Sequence, residues 1–181
     1  MAQSPTTGVD RFPRVRWILE APPTVQDAYA RRPTGNARTG RERTVDWKLE
    51  LVVVPVSDVD RAKSFYIDGA GFVLDVDHRA GDFRVVQLTP PGSACSIALM
   101  SNPGSAGSLQ GLHLVVADIE AARAELVGRG TAAGEIFHFE AGAQVPGPDP
   151  AGADYGSFFD VSDPDGNGWL VQEVRPPRPG R

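Results

Sequence analysis

The sequence predicts an α+β fold of two tandem βαβββ modules, and three observations predict it. First, "LVVVPVSDVDRAKSFY" and "LHLVVADIEAARAEL" share one order of strand, acidic cap and amphipathic helix, repeated after about 60 residues. Second, each is followed by short β-branched or aromatic runs separated by Gly- and Pro-rich turns. Third, the second unit ends in "DPDGNGWL", a tight turn feeding a last strand.

The elements follow in order. Residues 49–56, "LELVVVPV", read as a strand. Ser57 or Asp58 can cap the helix expected over 59–70, because a short side-chain oxygen accepts from an unpaired N–H of the first turn. Val59, Ala62, Phe65 and Tyr66 have helical spacing, and Gly69 and Gly71 bracket the end. Strands are expected at 72–79, 83–89 and 95–100. The second unit repeats this with a strand at 112–117 and a helix at 119–130, whose apolar face holds Ile119, Ala122, Leu126 and Val127. Further strands are expected at 134–140, 155–161 and 169–174. The Pro/Gly-rich segment 141–154 reads as a loop, long enough to serve as a lid or mouth. One βαβββ unit leaves a sheet face uncovered, so the two copies are expected to pack together.

Composition narrows the function. The formal charge of -5 argues against a nucleic-acid surface. No apolar run approaches the roughly 20 residues of a membrane span. The single cysteine, Cys95, allows no internal disulfide, which fits a cytoplasmic location; within "ACSIALM" it reads as a buried small hydrophobe. Residues 1–46 carry eight arginines against five acids and show no sustained period. They read as mostly irregular, with one helical turn around "TVQDAYARR". Two accounts stay open: a basic arm that touches an anionic partner, or a disordered extension translated from upstream of the true start. Residues 176–181 read as a tail.

Taken together, "VVPVSDVDRAKSFY" with "GAGF" after it, "LVVADIEAARAEL" and "DPDGNGWL" resemble the vicinal oxygen chelate superfamily. That group includes glyoxalase I, extradiol dioxygenases, fosfomycin-resistance proteins and bleomycin-binding proteins. The resemblance covers about residues 47–175. It implies the glyoxalase/bleomycin resistance fold, in which the modules curl into a curved, barrel-like sheet cup. It also implies where a divalent ion would be held in metal-dependent members: on the first strand of a module, seven residues before the capping acid, and on the strand after the "DPDGN" turn. Here those places hold Leu51, Gly111 and Leu170, and "CSIALM" offers no carboxylate or imidazole. Such side chains cannot coordinate a divalent cation. Glu50 would lie on the face opposite Leu51. No metal or other cofactor is therefore expected, with a divalent metal as the alternative.

Alternation along the strands then proposes a cup lining. Leu51, Val53 and Pro55 share one face, as do Gly111, His113 and Val115, and Leu170 and Gln172. The candidate ligand-binding residues are Leu51, Val53, His113, Val115, Leu170 and Gln172. His113 is also the candidate catalytic acid/base, with Gln172 orienting it; the competing reading is a histidine satisfied by a backbone carbonyl. His78 and His138 read as surface residues, Tyr155, Phe158 and Phe159 as core, and Trp169 as pointing away from the cup. Arg84 is either a cavity cation or a strand-edge charge. The expected function is binding of a small organic molecule in an apolar cup, without metal. The alternatives are a cofactor-free enzyme using His113, or a metal-dependent lyase, isomerase or dioxygenase with a non-standard ligand set. The expected partners are a small molecule and a second copy in a homodimer, with no nucleic acid and no membrane.

Overall fold

A computed structural model describes residue 45 and residues 47–175; the reading of residues 1–44, 46 and 176–181 lies outside them. The first module runs β1 (Leu51–Val56), α1 (Val59–Ser64), β2 (Val73–Ala80), β3 (Phe83–Thr89) and β4 (Ser96–Ser101). The second runs β5 (Leu112–Val116), α2 (Ile119–Gly128), β6 (Phe137–Glu140), β7 (Ala143–Pro146), β8 (Ser157–Ser162) and β9 (Gly168–Glu173). The first sheet has the order β1-β4-β3-β2 and the second β5-β9-β8-β6-β7. In each, the strand before the helix pairs in parallel with the last strand of its module.

The capping acids act as the sequence suggests. Asp58 accepts from the N–H groups of Asp60 and Arg61, and Asp118 from that of Ala121. Two expectations need correction. The helix expected over 59–70 is α-helical only to Ser64 and continues as a π-helical turn, Phe65–Gly69. The segment 141–154 is not all loop, because it contains β7. The β6–β7 hairpin turns through Ala141 (φ 50) and Gly142 (φ 81), both left-handed. This is the geometry of a two-residue hairpin turn, but without the Asn-Gly or Asp-Gly pair that usually announces one.

The modules share one core. Val54, Val56, Val86, Leu88, Ile97 and Leu99 are buried on the α1 side of the first sheet, and Phe159, Val161, Trp169 and Val171 on the α2 side of the second. Tyr66 joins them, its ring 5.4 Å from Phe72 and 6.1 Å from Trp169. A buried polar network runs through the same place. Trp169 Nε1 donates to Tyr66 Oη (3.0 Å), which donates to Asp163 Oδ2 (3.1 Å). Asn167 Nδ2 donates to Asp163 Oδ2 (2.7 Å) and to the Pro55 carbonyl (3.0 Å). The "DPDGN" turn of the second module is thereby bonded to β1 of the first. At its rim, burial raises the Asp165 pKa, but the Ser57 hydroxyl, the Ser57 N–H and Arg61 outweigh it and leave the carboxyl below its ordinary value.

Burial, reinforced by the Asp163 charge, pushes the Tyr66 phenol well above its ordinary value. An unfolded chain would lose that proton near pH 10, while the folded chain keeps it. The folded state then binds more protons, so stability falls as pH rises through about 10. Alkaline melts should show this loss in the native chain and a flatter profile in Tyr66→Phe.

Candidate functional site

Because the shared core lies on the helix side of both sheets, the described residues leave the other two faces partly exposed, with Ser96, Ala98 and Phe137 buried on them. The residues expected to line the cup are on them. Leu51 and Val53 are 37% and 50% exposed, whereas Val52 between them is half-buried and Val54 and Val56 further along are fully buried. Val115 is 59% exposed, and His113 shares its face. Leu170 and Gln172 are half-buried, against buried Trp169, Val171 and Glu173. Trp169 thus points away from this face, as expected. Glu173 points into the core, where Oε1 accepts from the Ile119 N–H at the start of α2 (3.3 Å).

Strand register converts these positions into rows. On the second sheet, His113 lies opposite Leu170, which lies opposite Asp160. The next row is Val115, Gln172, Phe158 and Phe137. On the first sheet, Val53, Ala98, Gln87 and Val76 form one row, and Leu51 faces Ser96 in another. The registers bring His113, Leu170, Val115 and Gln172 together in the second module and Leu51 and Val53 together in the first.

Several assignments change. Gln172 does not orient His113; its Nε2 donates to the Tyr155 carbonyl (3.5 Å). His138 is not a surface residue: it is 7% exposed on the core side, with Nδ1 2.9 Å from the Gly147 carbonyl. Strand alternation holds there, but the aromatic face is the one turned away from the core, with Phe139 44% exposed and Phe137 9%. Phe158 is therefore not core. Its ring stacks on Phe137 (5.6 Å, 24°) and meets Phe139 edge-on (5.8 Å, 66°). Phe159 is fully buried, as expected, whereas Tyr155 is 51% exposed. Arg84 lies on the core-side parity of β3 with Val86 and Leu88, where it lines a cavity beside Asp58 and Asp60 and not the cup. It reaches to the α1 side and pairs with Asp60 and Asp77, and with Lys63 it holds the Asp77 carboxyl well below the carboxylate range. Cys95 is half-buried, not enclosed.

Sequence reasoning missed the Phe137–Phe139–Phe158 platform, Asp160, and a polar chain on the first sheet. In that chain, Gln87 Nε2 donates to Ser96 Oγ (3.2 Å), Ser96 Oγ lies 2.7 Å from Thr89 Oγ1, and Thr89 Oγ1 donates to Asp75 Oδ2 (2.5 Å). Counting by twos along "FRVVQLT" would have found Gln87 and Thr89 together.

The places where the resemblance puts ion ligands hold Leu51, Gly111 and Leu170, whose side chains carry no donor atom. Among the described residues no three His, Cys, Asp or Glu side chains come together as a ligand group. Gly111 adds a backbone reason: its φ of 78° is left-handed, so a residue with a coordinating side chain there would be strained.

The two modules thus pair through one core and carry their remaining side chains on two sheet faces turned away from it. The sequence model of the Glyoxalase/Bleomycin resistance protein/Dioxygenase superfamily matches residues 48–171, and the chain belongs to that superfamily. Among solved structures, it is similar to TnmS3, an antibiotic binding protein from Streptomyces sp. CB03234. The identity is 32%, the match covers 72% of this chain and 98% of that one, and the TM-score is 0.57. It is also similar to a glyoxalase/bleomycin resistance protein from the same organism (34% identity, 69% and 99% coverage, TM-score 0.55). A superfamily member from Sphaerobacter thermophilus matches at 26% identity, 71% and 98% coverage and a TM-score of 0.54. No curated protein matches significantly. No helix among the described residues is long and apolar enough to cross a membrane.

Proposed function

We propose that this protein binds a small, largely apolar organic molecule on the open sheet faces, without a metal ion, as a homodimer. The observation that carries this reading is the Phe137–Phe139–Phe158 cluster on the face turned away from the core, where Phe139 is 44% exposed and Phe158 half-buried over a buried Phe137. Leu51, Val53, Val115 and Leu170 extend the apolar surface, and His113 and Gln172 supply isolated polar groups. Soluble chains rarely leave such faces bare, so a ligand and a second copy together are the economical cover. The similarity to an antibiotic binding protein supports the ligand class. His113 has a hydrogen-bonding role here, so His113→Ala should weaken binding rather than abolish it.

Light scattering on the purified chain is expected to give twice the 19.3 kDa of one copy. Elemental analysis without chelation should find far less than one metal per chain. Calorimetry against planar aromatic probes should detect binding that falls in Phe139→Ala. Near-stoichiometric metal surviving dialysis would put lyase or dioxygenase chemistry first. A monomer at tens of micromolar would overturn the dimer, and no binding across the probes would overturn the ligand class.

A further inference from the structure

The hydrogen-bond chain on the first sheet has a direction. A carboxylate only accepts, so Thr89 donates its one hydroxyl proton to Asp75. Thr89 Oγ1 must then accept from Ser96, whose own proton is thereby committed. Ser96 Oγ can only accept from Gln87, which turns the Nε2 side of the amide toward Ser96. Amide orientation is ambiguous in isolation, but this relay leaves one choice. Gln87 Oε1 is left without a partner among the hydrogen bonds of the described residues. It stands in a row whose other members are Val53, Ala98 and Val76.

We infer that Gln87 is a specificity-determining residue: a pre-oriented acceptor that selects ligands bearing a hydroxyl or N–H donor on their apolar frame. The inference rests on the small-molecule reading above and adds the chemistry the ligand must carry. Once a ligand covers this apolar row, an unmet Oε1 loses its water and gains nothing in return. A ligand donor removes that loss; an ether or hydrocarbon at the same place does not. Asp75, Thr89 and Ser96 act through Gln87 as positioning residues.

The test is a pair of probes, 2-naphthol and 2-methoxynaphthalene, titrated into the full chain by calorimetry. The ether is the more apolar, so burial alone favours it. The native chain is expected to prefer the naphthol by about tenfold, the effect of one net hydrogen bond. Gln87→Leu should lose the preference for the naphthol and bind the ether at least as well, with affinity for the ether no lower than in the native chain. Gln87→Met serves as a second variant should the leucine disturb folding. Thr89→Val keeps Gln87 but cuts the relay, so the amide is free to turn; most of the preference should vanish while the ether still binds. Equal affinities in the native chain would overturn this inference and leave the small-molecule reading standing. A preference that survives both Gln87 variants would also overturn it. Binding of neither probe would overturn the small-molecule reading and this inference with it.

Discussion

Asp163→Ala is expected to be the most damaging single substitution in the described fold. The side chain accepts four hydrogen bonds, from Tyr66 Oη, Asn167 Nδ2 and the backbone N–H groups of Asp165 and Asn167. Asp163 is 5% exposed, Tyr66 1% and Asn167 0%, so water cannot take over these partners. Removing the carboxylate leaves several buried donors unmet, and the turn that carries Asn167 to the Pro55 carbonyl loses its brace. A loss of about 3–5 kcal/mol is expected, read as a drop in Tm of about 10 °C or more. Glu125→Ala is the control. It removes an exposed i,i+4 pair with Arg129 and should cost less than about 0.5 kcal/mol. A double-mutant cycle between Asp163→Ala and Tyr66→Phe should be strongly non-additive, because both break the same network. Additive losses would mean that the network does not act as a unit.

How much of this was legible depends on which physical signal each residue carries. The strand–cap–helix repeat was legible because Asp58 and Asp118 do the same job at the same place, and because Val54 and Val56 alternate with Val53 and Pro55 in burial. The hairpin strand β7 was not, because Ala141 occupies a left-handed position usually held by Asn, Asp or Gly. The π-helical turn was not, because the apolar spacing of Phe65 and Tyr66 serves either helix type. The error at His138 is more instructive. Alternation along "IFHFE" correctly separated the histidine from the two phenylalanines, but it does not say which face is the core. The ordinary assumption sends aromatic rings inward. Here the rings lie on the face away from the core, Phe139 exposed and Phe137 buried, and the histidine is buried on the core side with a carbonyl partner. Alternation fixes which side chains share a face of a strand and leaves open which face the rest of the chain covers. The Gln87 relay was hidden for a different reason: its four members come from three strands, and only the register joins them.

Leu170→Glu is the second large effect expected, and it reads the candidate site directly. Leu170 stands where the resemblance places an ion ligand in metal-dependent members, between His113 and Asp160 in one cross-strand row. A carboxylate there would face the apolar ligand, and covering it without a partner costs several kcal/mol. Affinity for planar aromatic probes should fall at least about 100-fold, while Leu170→Met, which conserves volume, should stay close to the native chain. The same substitution raises the donors in the row to three: His113, the new carboxylate and Asp160. That is enough for a divalent ion whose remaining positions are filled by water. The variant, and not the native chain, is therefore expected to retain zinc or nickel after dialysis. Undiminished probe binding in Leu170→Glu would remove this row from the ligand site. Lost probe binding without metal uptake would keep the row in the site and exclude Asp160 as a ligand; its Oδ1 leans toward Gly134, so close that a Cβ there would lie 2.5 Å away.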